Sequence, residues 1–326
     1  MSGDVRAAFG DFAGRTWLNA AHQGPLPRVA VAAAEQALRE KSAPHLIEDA
    51  AFLELPRQLR ELLGRLINAR PEEIILANSA SWGLQVLANG LPWRDGDEIL
   101  VLADEFPATV FPWFVAEQAG ADVRRLELGT PVLDPERLAS ELTPRTRIVA
   151  VNWVRSLTGH MVDLGGLLEV CERRGVDLVV NATQGLGALP LDVGAVPVAA
   201  VTCSGFKWLL GPYATGFAWV RPDVLGTLRP VQAYWLALPD GVPLDLNREG
   251  EYRLRDDLGA RAYDVFGTAN FLNFAPWAAA LEYLLEQDPA AIARALDEHY
   301  SAQLHTRIRS ADEGESLRSL ESKRWF

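Results

Sequence analysis

Cysteine, net positive charge and long apolar runs are all scarce or missing in this 326-residue sequence. The two cysteines, Cys171 and Cys203, have no CxxC spacing, so no disulfide framework is expected and both thiols are predicted to fill the core. The net charge of −12 argues against a nucleic-acid partner, because binding a phosphate backbone requires a basic surface. No continuous apolar segment is long enough to span a membrane, and no basic stretch followed by an apolar one marks an export signal. These two features predict a cytoplasmic protein.

The sequence does contain short apolar segments that alternate with helical patterns, in a chain that is 49 % hydrophobic. The predicted strands are 73–77, 98–102, 122–126, 147–151, 177–180, 198–202 and 215–220, and the predicted helices include 29–42, 54–69, 164–174, 273–286 and 290–305. Continuous apolar strands separated by helices predict an α/β fold with a mostly parallel seven-stranded sheet covered on both faces. Ligands of such sheets bind beyond the carboxyl ends of the strands, where the polar clusters of this sequence fall.

The most informative cluster is a lysine, Lys207, between a predicted core strand and the turn Gly211-Pro212. Burial at a strand end would favour the neutral amine, which is a nucleophile able to form a Schiff base with an aldehyde cofactor. Ser204 beside it could hold a phosphate. The alternative is a solvated surface lysine.

Two further clusters suit the phosphate and the ring of such a cofactor. Ser79, Ala80 and Ser81 stand where a strand gives way to the predicted helix 84–89, and a helix N-terminus with hydroxyl donors stabilises an anion. The alternative there is an ordinary serine cap. Phe106, in Asp104-Glu105-Phe106-Pro107, could lie flat on a planar ring, or it could be a packing residue.

Amide and hydroxyl side chains follow two more predicted strands. Asn181 and Gln184 come just past strand 177–180, where burial of their amides requires hydrogen-bond partners. Asn152 to Gly159, which includes Arg155 and Ser156, follows strand 147–151. Core strands that end in such polar segments favour a ligand-binding edge.

Taken in order, these motifs resemble the class V aminotransferase branch of the fold type I enzymes that depend on pyridoxal 5'-phosphate (PLP). The branch includes cysteine desulfurases, kynureninases and isopenicillin-N-epimerase-like proteins, and the resemblance covers about residues 15 to 300. It implies a Schiff base on Lys207, a phosphate site at Ser79, Ala80, Ser81 and Ser204, ring stacking by Phe106, contact of Asn181 with the ring nitrogen, and contacts of Gln184 and Ser156 with the phenolic oxygen.

The resemblance also implies a homodimer with shared active sites. Thr268, in Phe266-Gly267-Thr268-Ala269-Asn270, matches the segment that reaches the phosphate of the neighbouring subunit. The implied domains are an N-terminal arm (1–25), a large PLP-binding domain (26–270) and a remnant of the small C-terminal domain (271–326). The last is expected to be truncated or atypical, because its charged tail has no strand pattern.

Substrate recognition is the least defined part of the expected site. In the family the small domain supplies the arginine for the substrate carboxylate, and the replacements in this sequence would be Arg155, Arg253, Arg255 or Arg261. His22, in a loop that resembles the substrate-side loop of the family, could act as an acid or base. No metal is expected.

Departures from the family pattern restrict the reaction. Asn181 stands where an aspartate normally keeps the pyridine nitrogen protonated, so the cofactor should be a weaker electron sink, which favours elimination or slow turnover over efficient transamination. Phe206 replaces a phosphate-binding histidine that desulfurases commonly have. No cysteine follows Cys203, which excludes the persulfide-forming desulfurase mechanism and leaves a cystine-type C–S lyase open.

Three functions therefore remain from the sequence. The first is a PLP-dependent enzyme acting on the α-amino group of an amino acid or amine, of aminotransferase, lyase or epimerase type. The second is a PLP-binding protein with weak or no turnover, suggested by Asn181 and the short C-terminus. The third, a nucleotide-dependent oxidoreductase, is disfavoured because no GxGxxG follows the first strand and Lys207 would have no role.

Overall fold

One seven-stranded sheet organises the protein. The computed structural model describes residues 5–17, 19–128, 133–233, 258–267, 270–288, 290–296 and 298. The strands are β1 (Ile74–Ala77), β2 (Glu98–Leu102), β3 (Asp122–Leu126), β4 (Thr146–Asn152), β5 (Asp177–Asn181), β6 (Ala200–Ser204) and β7 (Gly216–Val220). Their order across the sheet is β1-β7-β6-β5-β4-β2-β3.

Helices connect the strands and cover both faces of the sheet. They are α1 (Arg28–Ser42), α2 (Ala51–Ile67), α3 (Ala80–Gly90), α4 (Pro107–Val110), α5 (Pro135–Glu141), α6 (Leu164–Arg174), α7 (Pro222–Leu225) and α8 (Phe271–Glu286). Short 3₁₀ helices cover Val5–Ala8, Pro44–Leu46, Pro71–Glu73, Phe111–Ala119 and Gly259–Tyr263. The predicted α/β fold with a mostly parallel seven-stranded sheet is confirmed.

Strand direction brings the predicted polar clusters to one edge. The pairs β2–β3, β2–β4, β4–β5 and β5–β6 are parallel, whereas β7 runs antiparallel to both β1 and β6. Gly216, the first residue of β7, therefore pairs with Ala77 and Ser204, the last residues of its two neighbours. The segments that follow β1, β2, β4, β5 and β6 all leave the sheet on this side.

Several element boundaries at the site differ from the sequence prediction. Strands β4 and β5 each end one residue later than predicted, at Asn152 and Asn181. Strand β6 covers 200–204 instead of 198–202, so it ends directly at Ser204. Helix α3 begins at Ala80 instead of residue 84, because Ser79 is extended and the chain turns immediately after it. The predicted helix 290–305 is helical over 290–296, and most of its remainder lies outside the described residues.

The core lies on both faces of the sheet. Alternate residues of β1 face opposite sides, so Ile74 and Leu76 pack with α2, α6 and α8 while Ile75 packs with α3. Cys171 and Cys203 are free and buried, as predicted, and burial raises the pKa of each thiol to about 12. Both thiols are therefore protonated at neutral pH. Within the described ranges, no helix combines the length and apolarity needed to cross a bilayer.

Candidate active site

Lys207 lies in the connection between β6 and β7, with its amino group close to two aromatic rings. Its Nζ is 5.6 Å from the centroid of Phe106 and 5.8 Å from that of Phe206. Burial lowers the pKa of the lysine below its ordinary value. The lowered pKa raises the fraction of neutral, nucleophilic amine at physiological pH.

Backbone contacts fix the segment that carries Lys207. The Gly205 amide donates to the Thr215 carbonyl at 2.8 Å, and the Leu210 amide donates to the Lys207 carbonyl at 3.1 Å. The N-terminal arm adds a third contact, since the Gly24 amide donates to the Phe206 carbonyl at 3.0 Å. A Cβ atom on Gly24 would lie 1.8 Å from the Lys207 carbonyl oxygen, so only glycine allows this approach.

The N-terminus of α3 lies beside the end of β6. The Ala80 amide donates to Ser204 Oγ at 3.0 Å, and the Thr202 hydroxyl donates to the Ala80 carbonyl at 2.5 Å. The chain packs closely here, because a Cβ atom on Gly216 would lie 2.8 Å from the Ser79 nitrogen. The hydroxyl of Ser81 donates to the Ala108 carbonyl at 3.4 Å, which ties α3 to the segment containing Phe106. A helix N-terminus with hydroxyl groups beside it is an arrangement that can stabilise an anion.

The amide side chains of Asn181, the last residue of β5, and of Gln184, three residues later, have protein partners. Asn181 is buried; its Nδ2 donates to Thr109 Oγ1 at 2.8 Å and its Oδ1 accepts from the Thr183 amide at 3.1 Å. Gln184 is half-buried and joins the N-terminal arm to the lysine segment. Its Nε2 donates to the Ala21 carbonyl at 3.0 Å, and its Oε1 accepts from Trp208 Nε1 at 3.3 Å.

A buried polar network continues from Asn181 to a glutamate that sequence reasoning left without a role. The Thr109 hydroxyl donates to Asn152 Oδ1 at 2.5 Å, and Asn152 Nδ2 donates to Glu105 Oε2 at 2.5 Å. The other oxygen of Glu105 lies 3.5 Å from Arg155 Nε. Burial raises the pKa of Glu105 to about 7, although the Arg155 guanidinium opposes the shift. A carboxyl group with this pKa changes charge near neutral pH.

The remaining predicted site residues lie at different depths. Arg155 is buried and forms an ion pair with Asp104, whose side chain is exposed. Ser156 is half-buried in the turn that follows, and His22 is exposed within the arm. Among the other candidate arginines, Arg261 is half-buried in the 3₁₀ helix 259–263. Thr268, Arg253 and Arg255 lie outside the described residues.

Sequence reasoning quoted Glu105 and Asn152 but assigned neither a role, and it missed Thr109. The available signal for Glu105 was its place beside Phe106 in Asp104-Glu105-Phe106-Pro107, just after a strand, whereas no local pattern marks Thr109. Thr109 is 43 residues from Asn152 and 72 from Asn181 along the chain. The fold alone brings these residues together.

Comparisons with known proteins agree with this geometry. A sequence model of the Aminotransferase class-V family matches residues 25–324. A probable cysteine desulfurase of Methanothermobacter thermautotrophicus is 30% identical over 229 residues, which are 70% of this chain and 55% of that protein. The isopenicillin N epimerase of Streptomyces clavuligerus is 30% identical over 289 residues, 84% of this chain and 70% of the epimerase. This chain thus spans little more than half the length of the desulfurase.

Solved structures with a similar fold include C-DES. A mutant of C-DES with glycine covalently linked to its PLP cofactor is 26% identical, with a TM-score of 0.81, and the match covers 91% of this chain and 78% of C-DES. C-DES described as a cystine C–S lyase, in complex with its product cysteine persulfide, gives 27% identity and a TM-score of 0.75 over 84% of this chain and 73% of the lyase.

Proposed function

Because this chain belongs to the aminotransferase class-V family, we propose that it is a PLP-dependent enzyme that acts on the α-amino group of an amino acid or amine. The observation that carries the proposal is the environment of Lys207. Its amine lies at the end of β6 close to two aromatic rings, and burial lowers its pKa. These are the properties of a lysine that attacks a carbonyl carbon instead of forming a surface ion pair.

The surrounding residues fit the three parts of the cofactor, which is pyridoxal 5'-phosphate. The first turn of α3, with Ser79, Ala80 and Ser81, and the hydroxyl of Ser204 would hold the phosphate. Phe106, whose side chain is 45% exposed, has a ring face available for stacking on a planar group. Asn181, Gln184 and Ser156 would contact the polar atoms of the ring.

When bound, the cofactor withdraws electrons from the substrate and so weakens the bonds at the α-carbon. The protein binds, orients and moves protons. We assign to the neutral Nζ of Lys207 both the covalent attachment of the cofactor and, once released, the acceptance of the proton from the substrate α-carbon. The arm over the lysine segment, held by Gly24 and Ala21, excludes water from that amine.

Two observations bear on the reaction type that we propose. The relatives with which it shares its fold are named as a desulfurase, an epimerase and a C–S lyase. Both cysteines of this chain are buried and protonated, so neither offers a mobile thiolate that could accept sulfur in persulfide formation. We therefore propose an aminotransferase, C–S lyase or epimerase chemistry rather than persulfide transfer through Cys171 or Cys203.

A second candidate function is PLP binding with weak turnover. The neutral amide of Asn181 supports this second function, because it offers the ring nitrogen a hydrogen bond but no negative charge that would keep the nitrogen protonated. A charge-assisted hydrogen bond contributes about 1.5–3 kcal/mol against about 1 kcal/mol for a neutral one.

The substrate and the assembly belong to the same proposal. A substrate carboxylate could bind Arg155 by displacing the exposed Asp104 from its ion pair, while His22 would lie on the substrate side. We propose a homodimer in which Thr268 reaches the neighbouring phosphate. The arm (1–25), the large domain (26–270) and the C-terminal remnant (271–326) would be its parts.

The first experiment is reductive trapping of the cofactor. Protein incubated with PLP and then with borohydride should gain one reduced cofactor on Lys207, the only lysine besides Lys41 and Lys323. Lys207→Ala should lose both the visible absorbance band and the adduct, and Lys41→Ala should keep them. A visible band with the adduct on another lysine, or no band in the wild type, would remove the proposal.

An amino-acid panel then separates the two candidate functions. Formation of a product from one substrate would establish an enzyme. The product would be the corresponding keto acid for an aminotransferase, pyruvate for a C–S lyase, or the opposite enantiomer for an epimerase. A trapped Lys207 adduct combined with an unchanged spectrum for every amino acid tested would favour the binding protein.

A further inference from the structure

Three consecutive hydrogen bonds join Asn181 to Glu105 through side chains alone. We propose that Glu105 is a positioning residue for the cofactor ring. Its carboxylate would fix, through Asn152 and Thr109, the orientation of the Asn181 amide toward the ring nitrogen. This inference rests on the proposed function, since it places a ring against Asn181.

The chemistry of a carboxylate sets the donor-to-acceptor direction of all three hydrogen bonds. An ionised Glu105 can only accept hydrogen bonds, so Asn152 must present its Nδ2 to it. The Oδ1 of Asn152 is then left as an acceptor, and it accepts a hydrogen bond from the Thr109 hydroxyl. With that proton committed, Thr109 Oγ1 can only accept from Asn181, which it does at 2.8 Å.

The direction of the chain matters because an asparagine amide is nearly symmetric in shape. Its two flipped orientations occupy the same volume but exchange a donor for an acceptor. The Thr183 backbone amide, which can only donate, holds Oδ1 of Asn181, and the link to Thr109 holds its Nδ2, so the two bonds together fix both ends of the amide. When the acceptor on Thr109 is lost, only the Oδ1 end of the amide stays fixed, and the position that Nδ2 offers to the ring nitrogen changes.

The surroundings of Glu105 make this control sensitive to pH. Arg155 lies 3.5 Å from Oε1, and Asp104 is paired to the same guanidinium. The charge of Arg155 lowers the pKa of Glu105 and that of Asp104 raises it, and burial brings the pKa of this carboxyl to about 7. Once protonated, Glu105 can donate as well as accept, so the donor-to-acceptor direction of the three hydrogen bonds is no longer enforced.

The test reads the ring nitrogen directly, by ¹⁵N NMR of the protein loaded with PLP labelled at that atom. In the wild type, the ring-nitrogen resonance should move as the pH is lowered from about 8 to about 6. In Glu105→Gln, the resonance should be displaced at pH 8 and this transition should be lost. The matched control is Glu98→Gln, since Glu98 is an equally buried glutamate with an arginine partner at the other end of β2. It should keep the wild-type resonance and transition.

Two variants distinguish positioning from a structural role. Thr109→Val removes the hydroxyl but keeps the shape and Glu105, and it should reproduce the displaced resonance; it also decides the matter if Glu105→Gln does not fold. In an Asn181→Ala background, Glu105→Gln should cause no additional displacement. Unchanged spectra in Glu105→Gln or Thr109→Val, or additive displacements in the double variant, would overturn the inference. Loss of the Lys207 adduct in the wild type would instead reject the proposed function.

Discussion

Two buried glutamates at opposite ends of β2 have opposite pKa shifts. Glu105, just after the strand, has a pKa raised to about 7 by burial, from an ordinary value of 4.5. Glu98, at its start, has a lowered pKa, because hydrogen bonds from Thr146 and Arg124 outweigh the effect of burial. The two should therefore respond to pH in opposite directions.

The sign of the pH dependence of stability follows from proton linkage. Between pH 4.5 and 7, folded Glu105 holds a proton that the unfolded chain has lost, so its contribution to stability falls as pH rises through this window. The loss amounts to at most about 3 kcal/mol. We expect Glu105→Gln to become more stable relative to the wild type as the pH is raised from 5 to 8, measured by urea denaturation of the apoprotein.

Glu98→Gln provides the comparison at the other end of β2. Its stability deficit relative to the wild type should shrink as the pH falls through the lowered pKa of Glu98. If both variants followed the same pH trend, the assigned pKa directions would be wrong.

Asn181→Asp tests the same network from its other end. An aspartate there could not donate to Thr109, so the hydroxyl would turn toward it and Asn152 would lose its donor. We expect a loss of about 1–3 kcal/mol in unfolding free energy, larger at pH 8 than at pH 6, because the network then favours a protonated Glu105. Thermal unfolding of the apoprotein measures the loss, and Asn89→Asp, on the exposed face of α3, should change little.

The same substitution bears on the cofactor. Restoring the charge beside the ring nitrogen should strengthen the absorbance of a carbanionic intermediate formed with substrate. An unchanged spectrum would mean that the charge at this position does not limit the reaction.

Individual residues could be assigned from the sequence only where a motif carries them. Lys207, Phe106 and Ser204 stand next to strand ends or turns that a reader of the sequence can locate. Thr109 could not be assigned, because its partners Asn152 and Asn181 are distant in sequence and no local pattern marks a side chain that bonds across two strands.

The contact between α3 and the sheet depends on a glycine at the start of β7. A side chain on Gly216 would meet the Ser79 nitrogen and the Cys203 carbonyl oxygen, each at 2.8 Å. Gly216→Ala should push the first turn of α3 away from Ser204, with a loss of about 1–3 kcal/mol in stability. Affinity for PLP, measured by fluorescence titration, should fall with it.

Gly165→Ala is the matched control for this substitution. Gly165 lies in the first turn of α6, where an added Cβ would make only an ordinary contact of 3.6 Å with Asp163. Alanine there should stabilise the helix by up to about 1 kcal/mol. Equal PLP affinity in Gly216→Ala and Gly165→Ala would show that the close approach of α3 is not needed.

Apolar runs located the strands well but could not give their directions. Strands β2 and β3 have the predicted bounds, because each is a short run flanked by turns. Strand β7 is as apolar as its parallel neighbours, and only its pairing with β1 and β6 shows that it runs the opposite way. Helix α3 begins four residues before the predicted start, because Gly83 in its first turn weakens the helical pattern there.

A buried ion pair joins distant parts of the whole molecule. Arg60 of α2 pairs with Asp264, which also accepts from the Leu76 amide of β1 at 2.9 Å. Asp264→Asn would leave the guanidinium of Arg60 buried without its counter-ion. We expect a loss of about 3–5 kcal/mol in global unfolding free energy.

An exposed ion pair of the same helix is the control. Arg57 and Glu61 pair on the surface of α2, with side chains that are 63% and 47% exposed. Glu61→Gln should change the unfolding free energy by less than about 1 kcal/mol. Similar losses in Glu61→Gln and Asp264→Asn, measured by denaturant titration, would contradict the role given to burial.

The connection between β6 and β7 also limits the range of motion of the Lys207 amine. Because β7 returns alongside β6, the segment 205–215 is a short bridge clamped at both ends by ladder bonds, not a long crossover. Nearly all the motion left to Nζ is rotation about the four carbons of its own side chain. The lysine thus searches a small volume, and under the proposed function this confinement would raise its effective concentration at a carbonyl carbon without any additional contact.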